Sequence, residues 1–91
     1  MFILLNKCYG GFGLSEEFLD EYPEYRNKRI FSRTDKKLID RIRDFGIDKA
    51  GKEYSNLSIV SIPDDVTDWR KREDDGYEYI EYVKDGKIFD A

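Results

Sequence analysis

The chain has 91 residues, enough for a single domain (residues 1–91) and too few for two. Its 20 acidic residues outnumber its 16 basic residues, so the net charge of −4 argues against a broadly basic surface, and no direct contact with nucleic acid is expected. Histidine is absent and Cys8 is the only cysteine, which excludes an internal disulfide and the commonest zinc ligands; we expect neither a metal nor a cofactor.

The first half of the sequence predicts one strand, two helices and a short second strand. Residues 2–5 form an apolar run typical of a central strand buried on both faces. Ser15 suits the N-cap of a helix that Pro23 ends. Residues 29–31 are expected to form a short strand. Thr34 is expected to cap a second helix, with Gly46 at its C-terminal end.

The second half predicts strands joined by tight turns. Residues 47–56 are interpreted as a connection, and residues 57–62 as a strand that Pro63 stops. Strands at 66–72 and 77–83 flank an Asp-Gly turn, and residues 87–89 form a last short strand. The order indicates a small α+β domain, a mostly antiparallel sheet with two helices packed on one face. A domain of this size gains buried surface by homo-oligomerisation.

The apolar run at the N-terminus bears on location. It is interrupted at once by Asn6 and Lys7, which makes it too short for a signal-peptide core or a membrane span. We therefore expect a cytoplasmic protein that makes no membrane contact.

The strongest local pattern is residues 7–15, here named the glycine segment, which joins the first strand to the first helix. Glycines let a backbone approach a ligand closely, and free N–H groups at a helix start attract anions. The spacing is neither that of a Walker loop nor that of a dinucleotide fingerprint, so a tight turn with core aromatics is the competing interpretation. The predicted phosphate-binding residues are Lys7, Tyr9, Gly10, Gly11, Phe12, Gly13 and Ser15, with Arg33 assisting.

The last third of the chain is acidic and supports a different hypothesis. Its carboxylates can imitate a nucleic-acid backbone and occupy a partner protein, but Arg70, Lys71 and Arg72 interrupt the run, and an ordinary solvated hairpin accounts for most of it. No EF-hand pattern is present. The residues of this partner-binding alternative are Asp64, Asp65, Asp74, Asp75 and Glu78.

Catalysis is not expected. Cys8 lies near a helix start, where thiolates are favoured, but the chain has no histidine to activate it, and a lone cysteine is usually a small buried hydrophobe.

Three stretches give the chain a resemblance to a family of small proteins encoded by bacteriophages and other large viruses. They are NKCYGGFGLS at residues 6–15, RTD at 33–35 and IVSIPDDV at 59–66, and DGYEYI at 75–80 is similar to the closing turn of that family. The family often has proline where this chain has Lys36. The resemblance implies a viral accessory protein and supplies no activity.

These observations together predict a non-catalytic viral binding protein that counters host defence. In the leading hypothesis it binds a phosphate-bearing small molecule such as a nucleotide signal. The alternative is an acidic inhibitor of a host defence protein.

Overall fold

The computed structural model describes residues 1–91 and shows an α+β domain of five strands and three helices. The strands are β1 (Phe2–Asn6), β2 (Leu57–Ser61), β3 (Asp68–Asp74), β4 (Tyr77–Lys84) and β5 (Lys87–Asp90). The helices are α1 (Glu16–Glu21), α2 (Lys36–Phe45) and α3 (Ile47–Ala50), with a 3₁₀ turn at Pro23–Tyr25. None of the helices is both long and apolar enough to cross a bilayer.

The strands form two separate antiparallel sheets. β1 pairs with β2 in a two-stranded ribbon, with Leu4 opposite Ile59, and β3, β4 and β5 form a three-stranded meander in that order. The ribbon is the middle layer of the molecule. Leu4 packs into a core with the helices, whereas Ile3 and Leu5 pack into a second core against the meander.

This layering explains the apolar run at residues 2–5. The prediction that the first strand is buried on both faces is confirmed, since Ile3, Leu4 and Leu5 are each fully buried. The expected central position within one sheet is wrong, because β1 has only one strand neighbour. Its second face is covered by another sheet instead.

Several local predictions are confirmed. Ser15 caps α1, its hydroxyl accepting a hydrogen bond from the Phe18 N–H. Gly46 ends α2 at a φ of +111°, a conformation that L-residues rarely adopt. The Asp75-Gly76 turn has positive φ at both residues, as the two-residue turn of a tight hairpin requires.

Others need correction. Residues 29–31 form no strand, and the connection at 47–56 contains α3. The N-cap of α2 is Asp35 rather than Thr34, because the Asp35 carboxylate accepts hydrogen bonds from the Lys37 and Leu38 N–H groups. A cap one residue later shortens the predicted helix at its start.

Candidate functional site

The glycine segment is anchored at both ends and through the carbonyls of Cys8, Gly11 and Gly13, which accept hydrogen bonds from Asn6, Ser55 and Lys52, but its central N–H groups have no acceptor in the chain. The Lys7 N–H donates to the Asn56 carbonyl at 2.8 Å, and the Ser15 N–H donates to the Ala50 carbonyl at 2.7 Å. Between them, seven successive N–H groups, from Cys8 to Leu14, donate no hydrogen bond to any group of the chain. Buried backbone donors are rarely left without an acceptor, so this run of unpaired N–H groups is unusual and available to an acceptor from outside the chain.

Asn6 holds the start of this segment. It is fully buried, and its side-chain amide donates to the carbonyls of Cys8 (2.8 Å) and Gly76 (2.9 Å). Its side-chain oxygen accepts from the Asn56 N–H at 2.8 Å. One residue thus ties the glycine segment to the β3–β4 turn and to the start of β2. Sequence reasoning treated Asn6 only as the end of a strand and missed this role.

The glycines of this region serve different purposes. A Cβ on Gly76 would lie 2.8 Å from both the Tyr9 carbonyl oxygen and the Gly11 nitrogen, so the hairpin turn packs directly on the glycine segment. A Cβ on Gly10 would overlap the backbone of Tyr54. Gly11 has a φ of +88° with open space where its side chain would be. A glycine is therefore needed at position 10 because a side chain has no room there. At position 11 it is needed because of the positive φ, and the space beside it is open.

Lys7 directly precedes the run of free amides, and Tyr9 lies within it. The Tyr9 side chain is 68 % exposed and its ring centroid lies 5.5 Å from that of Tyr77. The Lys7 ammonium lies 5.2 Å from the Tyr77 ring centroid and donates to the Ala91 carbonyl at 3.2 Å. Burial lowers the pKa of Lys7, although the nearby charges of Glu78 and Asp90 oppose that shift. The tyrosine is the more accessible of the two predicted contacts.

Ser15 and Gly13 complete the segment in structural roles. Ser15 is buried, and both hydrogen bonds of its hydroxyl are made within the chain. The hydroxyl accepts from the Phe18 N–H of α1 and donates to the Lys49 carbonyl at 2.7 Å. A Cβ on Gly13 would meet the aliphatic part of Lys52. An open hollow of about 400 Å³ adjoins them, and its three glutamates (Glu16, Glu17 and Glu53) outnumber its two lysines (Lys49 and Lys52). This end is poorly suited to an anion.

Phe12, within the glycine segment, packs against Arg33. The Arg33 guanidinium lies 3.7 Å from the centroid of the Phe12 ring, and the Phe12 ring also meets that of Phe31 at 5.7 Å. The two terminal guanidinium nitrogens of Arg33 both donate to the Glu78 carboxylate, one of them at 2.9 Å. The prediction that Arg33 assists a bound phosphate needs correction, because its charge is already neutralised inside the protein.

The predicted partner-binding role of Glu78 needs correction too. Glu78 is 1 % exposed and cannot reach a partner's surface. Its carboxylate accepts hydrogen bonds from the Asn6 N–H at 2.8 Å and from the Lys71 ammonium at 3.3 Å, besides those from Arg33. Burial by itself would raise the pKa of Glu78, but the hydrogen bonds from Arg33 and Asn6 and the charges of Arg33 and Lys71 outweigh it, so the pKa is lowered.

The Arg33–Glu78 pair occupies the place of a third strand beside β1. The Leu4 N–H donates to the Arg33 carbonyl at 2.7 Å, and the Arg33 guanidinium donates to the Leu4 carbonyl at 3.3 Å. The Asn6 N–H, two residues along on the same edge, donates to Glu78. The outward groups of Leu4 and Asn6 are thus bonded to the Arg33 backbone and to the side chains of Arg33 and Glu78.

The four remaining predicted acidic residues lie in two separate pairs. Asp64 binds the N-terminal ammonium at 2.7 Å, and this contact lowers its pKa; Asp65 lies 3.5 Å from the Lys84 ammonium. Asp74 and Asp75 lie at the β3–β4 turn, at the other end of β3. A seven-residue strand spans about 20 Å, so the structure does not gather the four into one surface.

The structure also bears on the remaining candidate chemistry. Cys8 is a half-buried free thiol. No group of three or more cysteine, aspartate or glutamate side chains is placed to hold a metal ion. The two features that bring predicted residues together are therefore the glycine segment and the Arg33–Glu78 pair.

Comparison with known proteins adds nothing to this geometry: a scan of protein-family models, a search of curated proteins and a search of solved structures each found no match.

Proposed function

We propose that the chain is a non-catalytic binding protein whose glycine segment receives a phosphate-bearing small molecule. The observation that carries the proposal is the run of seven backbone N–H groups, Cys8 to Leu14, without an acceptor in the chain. Successive backbone amides form concave sites that bind anions, and they do so without a charged side chain. This matters because Arg33 is committed to Glu78.

The face of the segment around Gly11 favours a ligand that combines a phosphate with a ring. No atom lies within 4 Å of the position a Gly11 side chain would take, so a phosphate oxygen can approach the backbone there. Tyr9, two residues before Gly11, is 68 % exposed. An exposed aromatic ring stacks on a nucleobase with a gain of about 1–3 kcal/mol. A nucleotide supplies both groups.

The resemblance to viral proteins supplies the setting of the proposal. In that setting the protein acts in the host cytoplasm and sequesters a nucleotide signal of host defence. The acidic alternative has weaker support, since Glu78 is buried and the four exposed aspartates are divided between two ends of β3.

The proposal is tested by isothermal titration calorimetry against inorganic phosphate and a panel of linear and cyclic nucleotides. At least one nucleotide is expected to bind, and Tyr9→Ala is expected to weaken that binding by about tenfold or more. Tyr79→Ala is the matched control: Tyr79 lies two residues after Tyr77 on β4, and the ring that meets Tyr9 is that of Tyr77, so this variant should bind as the natural chain does.

Amide NMR identifies the site independently. Bound ligand should shift the N–H resonances of residues 8–14 and leave those of α2 unchanged. Absence of heat with every compound at about millimolar concentration, or shifts confined to other residues, contradicts the proposal.

A further inference from the structure

The outer edge of β2 is an open row of backbone donors and acceptors. The ribbon has hydrogen-bonded pairs at Met1–Ile62 and at Lys7–Asn56. Because such pairs alternate in an antiparallel ladder, the N–H and C=O groups of Leu57, Ile59 and Ser61 point away from β1. None of these three N–H groups donates to another part of the chain.

The other edges of the two sheets are closed or charged. The Arg33–Glu78 pair closes the outer edge of β1. Six of the seven residues of β3 are charged, and the four-residue β5 carries a charge at each end, Lys87 and Asp90, on either side of the exposed apolar residues Ile88 and Phe89. β2, with the sequence LSIVS, carries no charge. Charged side chains are the usual protection of an edge against pairing, so β2 is the edge left fit for pairing with another strand.

The three open positions are complementary to themselves. If two copies of β2 meet antiparallel about a twofold axis at Ile59, then Leu57 lies opposite Ser61 of the second copy, and Ile59 lies opposite its own equivalent. Each of these three pairs exchanges two hydrogen bonds, six in all, and no outward group of β2 is left over. A shift by two residues retains only two such pairs. No charges oppose each other across the axis.

We propose that the chain forms a twofold dimer through β2, which joins the two ribbons into one four-stranded antiparallel sheet. The occupant of the edge is a second copy of this chain because the edge satisfies itself fully in that register. The pairing adds a third strand beside each two-stranded ribbon. Such ribbons have marginal stability on their own. The dimer uses no residue of the glycine segment and is independent of the proposed ligand.

The test is the oligomeric state of Ser61→Pro against Ser61→Ala, measured by sedimentation velocity over a range of concentrations. Proline removes the outward N–H of Ser61, whose side chain is exposed and whose N–H makes no bond to β1. The natural chain and Ser61→Ala should dimerise alike, whereas Ser61→Pro should raise the dimer dissociation constant about tenfold or more.

Hydrogen exchange of the natural chain tests the same edge without a variant. On dilution from dimer to monomer, the amides of Leu57, Ile59 and Ser61 should lose protection, while those of Ser58 and Val60 keep it through their bonds to β1. A monomer up to about 1 mM overturns the proposal, as does a dimer in which the three outward amides exchange freely. Equal dimerisation of a folded Ser61→Pro overturns it too.

Discussion

Glu78 is the one carboxylate buried in this protein, and both of its oxygens accept hydrogen bonds. It faces the cations of Arg33 and Lys71 and the N–H of Asn6. Removing one partner of a buried ion pair costs about 3–5 kcal/mol, because the other charge stays buried without compensation. The pair therefore matters for stability through the penalty of breaking it.

We expect Glu78→Gln to lower the free energy of unfolding by about 3 kcal/mol at neutral pH, measured by urea denaturation. Glu81→Gln is the matched control, since Glu81 lies on the same strand and meets Arg70 at 4.0 Å on a more exposed face. It should cost less than about 1 kcal/mol. Equal losses in the two variants contradict the structural role of Glu78.

The pH dependence of this loss follows from the lowered pKa of Glu78. A carboxyl group with a lowered pKa in the folded state stabilises the fold above its unfolded pKa of about 4.3. That contribution disappears as the pH falls through the folded pKa. The difference between the natural chain and Glu78→Gln should therefore be constant above about pH 5 and shrink below about pH 4.

The sequence assigned Arg33 and Glu78 to two different sites, and this failure has a plain cause. The two residues are 45 positions apart, and no local pattern predicts a contact over such a separation. The sequence did contain one signal. Strand alternation places Glu78 on the same face as the apolar Ile80, which predicts that the Glu78 carboxylate points into the core. A buried charge requires a partner, and an arginine was the natural candidate.

At the scale of elements, the two Asp-Gly hairpin turns can be compared: Asp75-Gly76 between β3 and β4, and Asp85-Gly86 between β4 and β5. Gly76 and Gly86 have similar φ values, +90° and +73°, but only Gly76 packs against other backbone, that of Tyr9 and Gly11. Nothing lies within 4 Å of a side chain placed on Gly86. The first turn therefore joins two elements, whereas the second only reverses the chain.

We expect Gly86→Ala to lower the free energy of unfolding by about 1–2 kcal/mol through the left-handed conformation alone. Gly76→Ala carries the same strain and must also displace the glycine segment, so its loss should exceed that of Gly86→Ala by at least about 1 kcal/mol. Thermal or urea unfolding of the two variants gives the difference. Equal losses would show that the hairpin turn does not hold the glycine segment.

Element predictions succeeded where the chemistry is local. The Ser15 cap, the Gly46 terminus and the Asp75-Gly76 turn each depend on residues within a few positions. The strand expected at 29–31 did not form: Ile30 is 85 % exposed, and these residues pair with no strand. The cap of α2 moved from Thr34 to Asp35, a choice between two neighbouring capping residues that the sequence does not settle.

At the scale of the whole molecule, the β1–β2 ribbon belongs to both cores. Leu4 and Leu57 pack with the helices, while Ile3 and Leu5 pack with the meander. Neither core is complete without the ribbon, so the two should not unfold separately.

We therefore expect urea unfolding to give one midpoint for helix content, followed by circular dichroism at 222 nm, and for Trp69 fluorescence. Trp69 packs on the core between ribbon and meander, whereas the helices lie on the other side. Leu4→Ala, which directly affects only the helical core, should lower both midpoints together, with a loss of about 2–5 kcal/mol. Midpoints that separate would show that the layers are independent.

The amino-acid sequence by itself determined the class of the fold, most element positions and the turn chemistry, because those depend on side-chain alternation, caps and glycines that act over a few residues. Only the tertiary structure decided that the strands divide into two sheets and that Arg33 neutralises Glu78. It also decided which glycines pack and which stay open. These depend on contacts between residues distant in the chain, where the free energy comes from burial and pairing that no short stretch encodes.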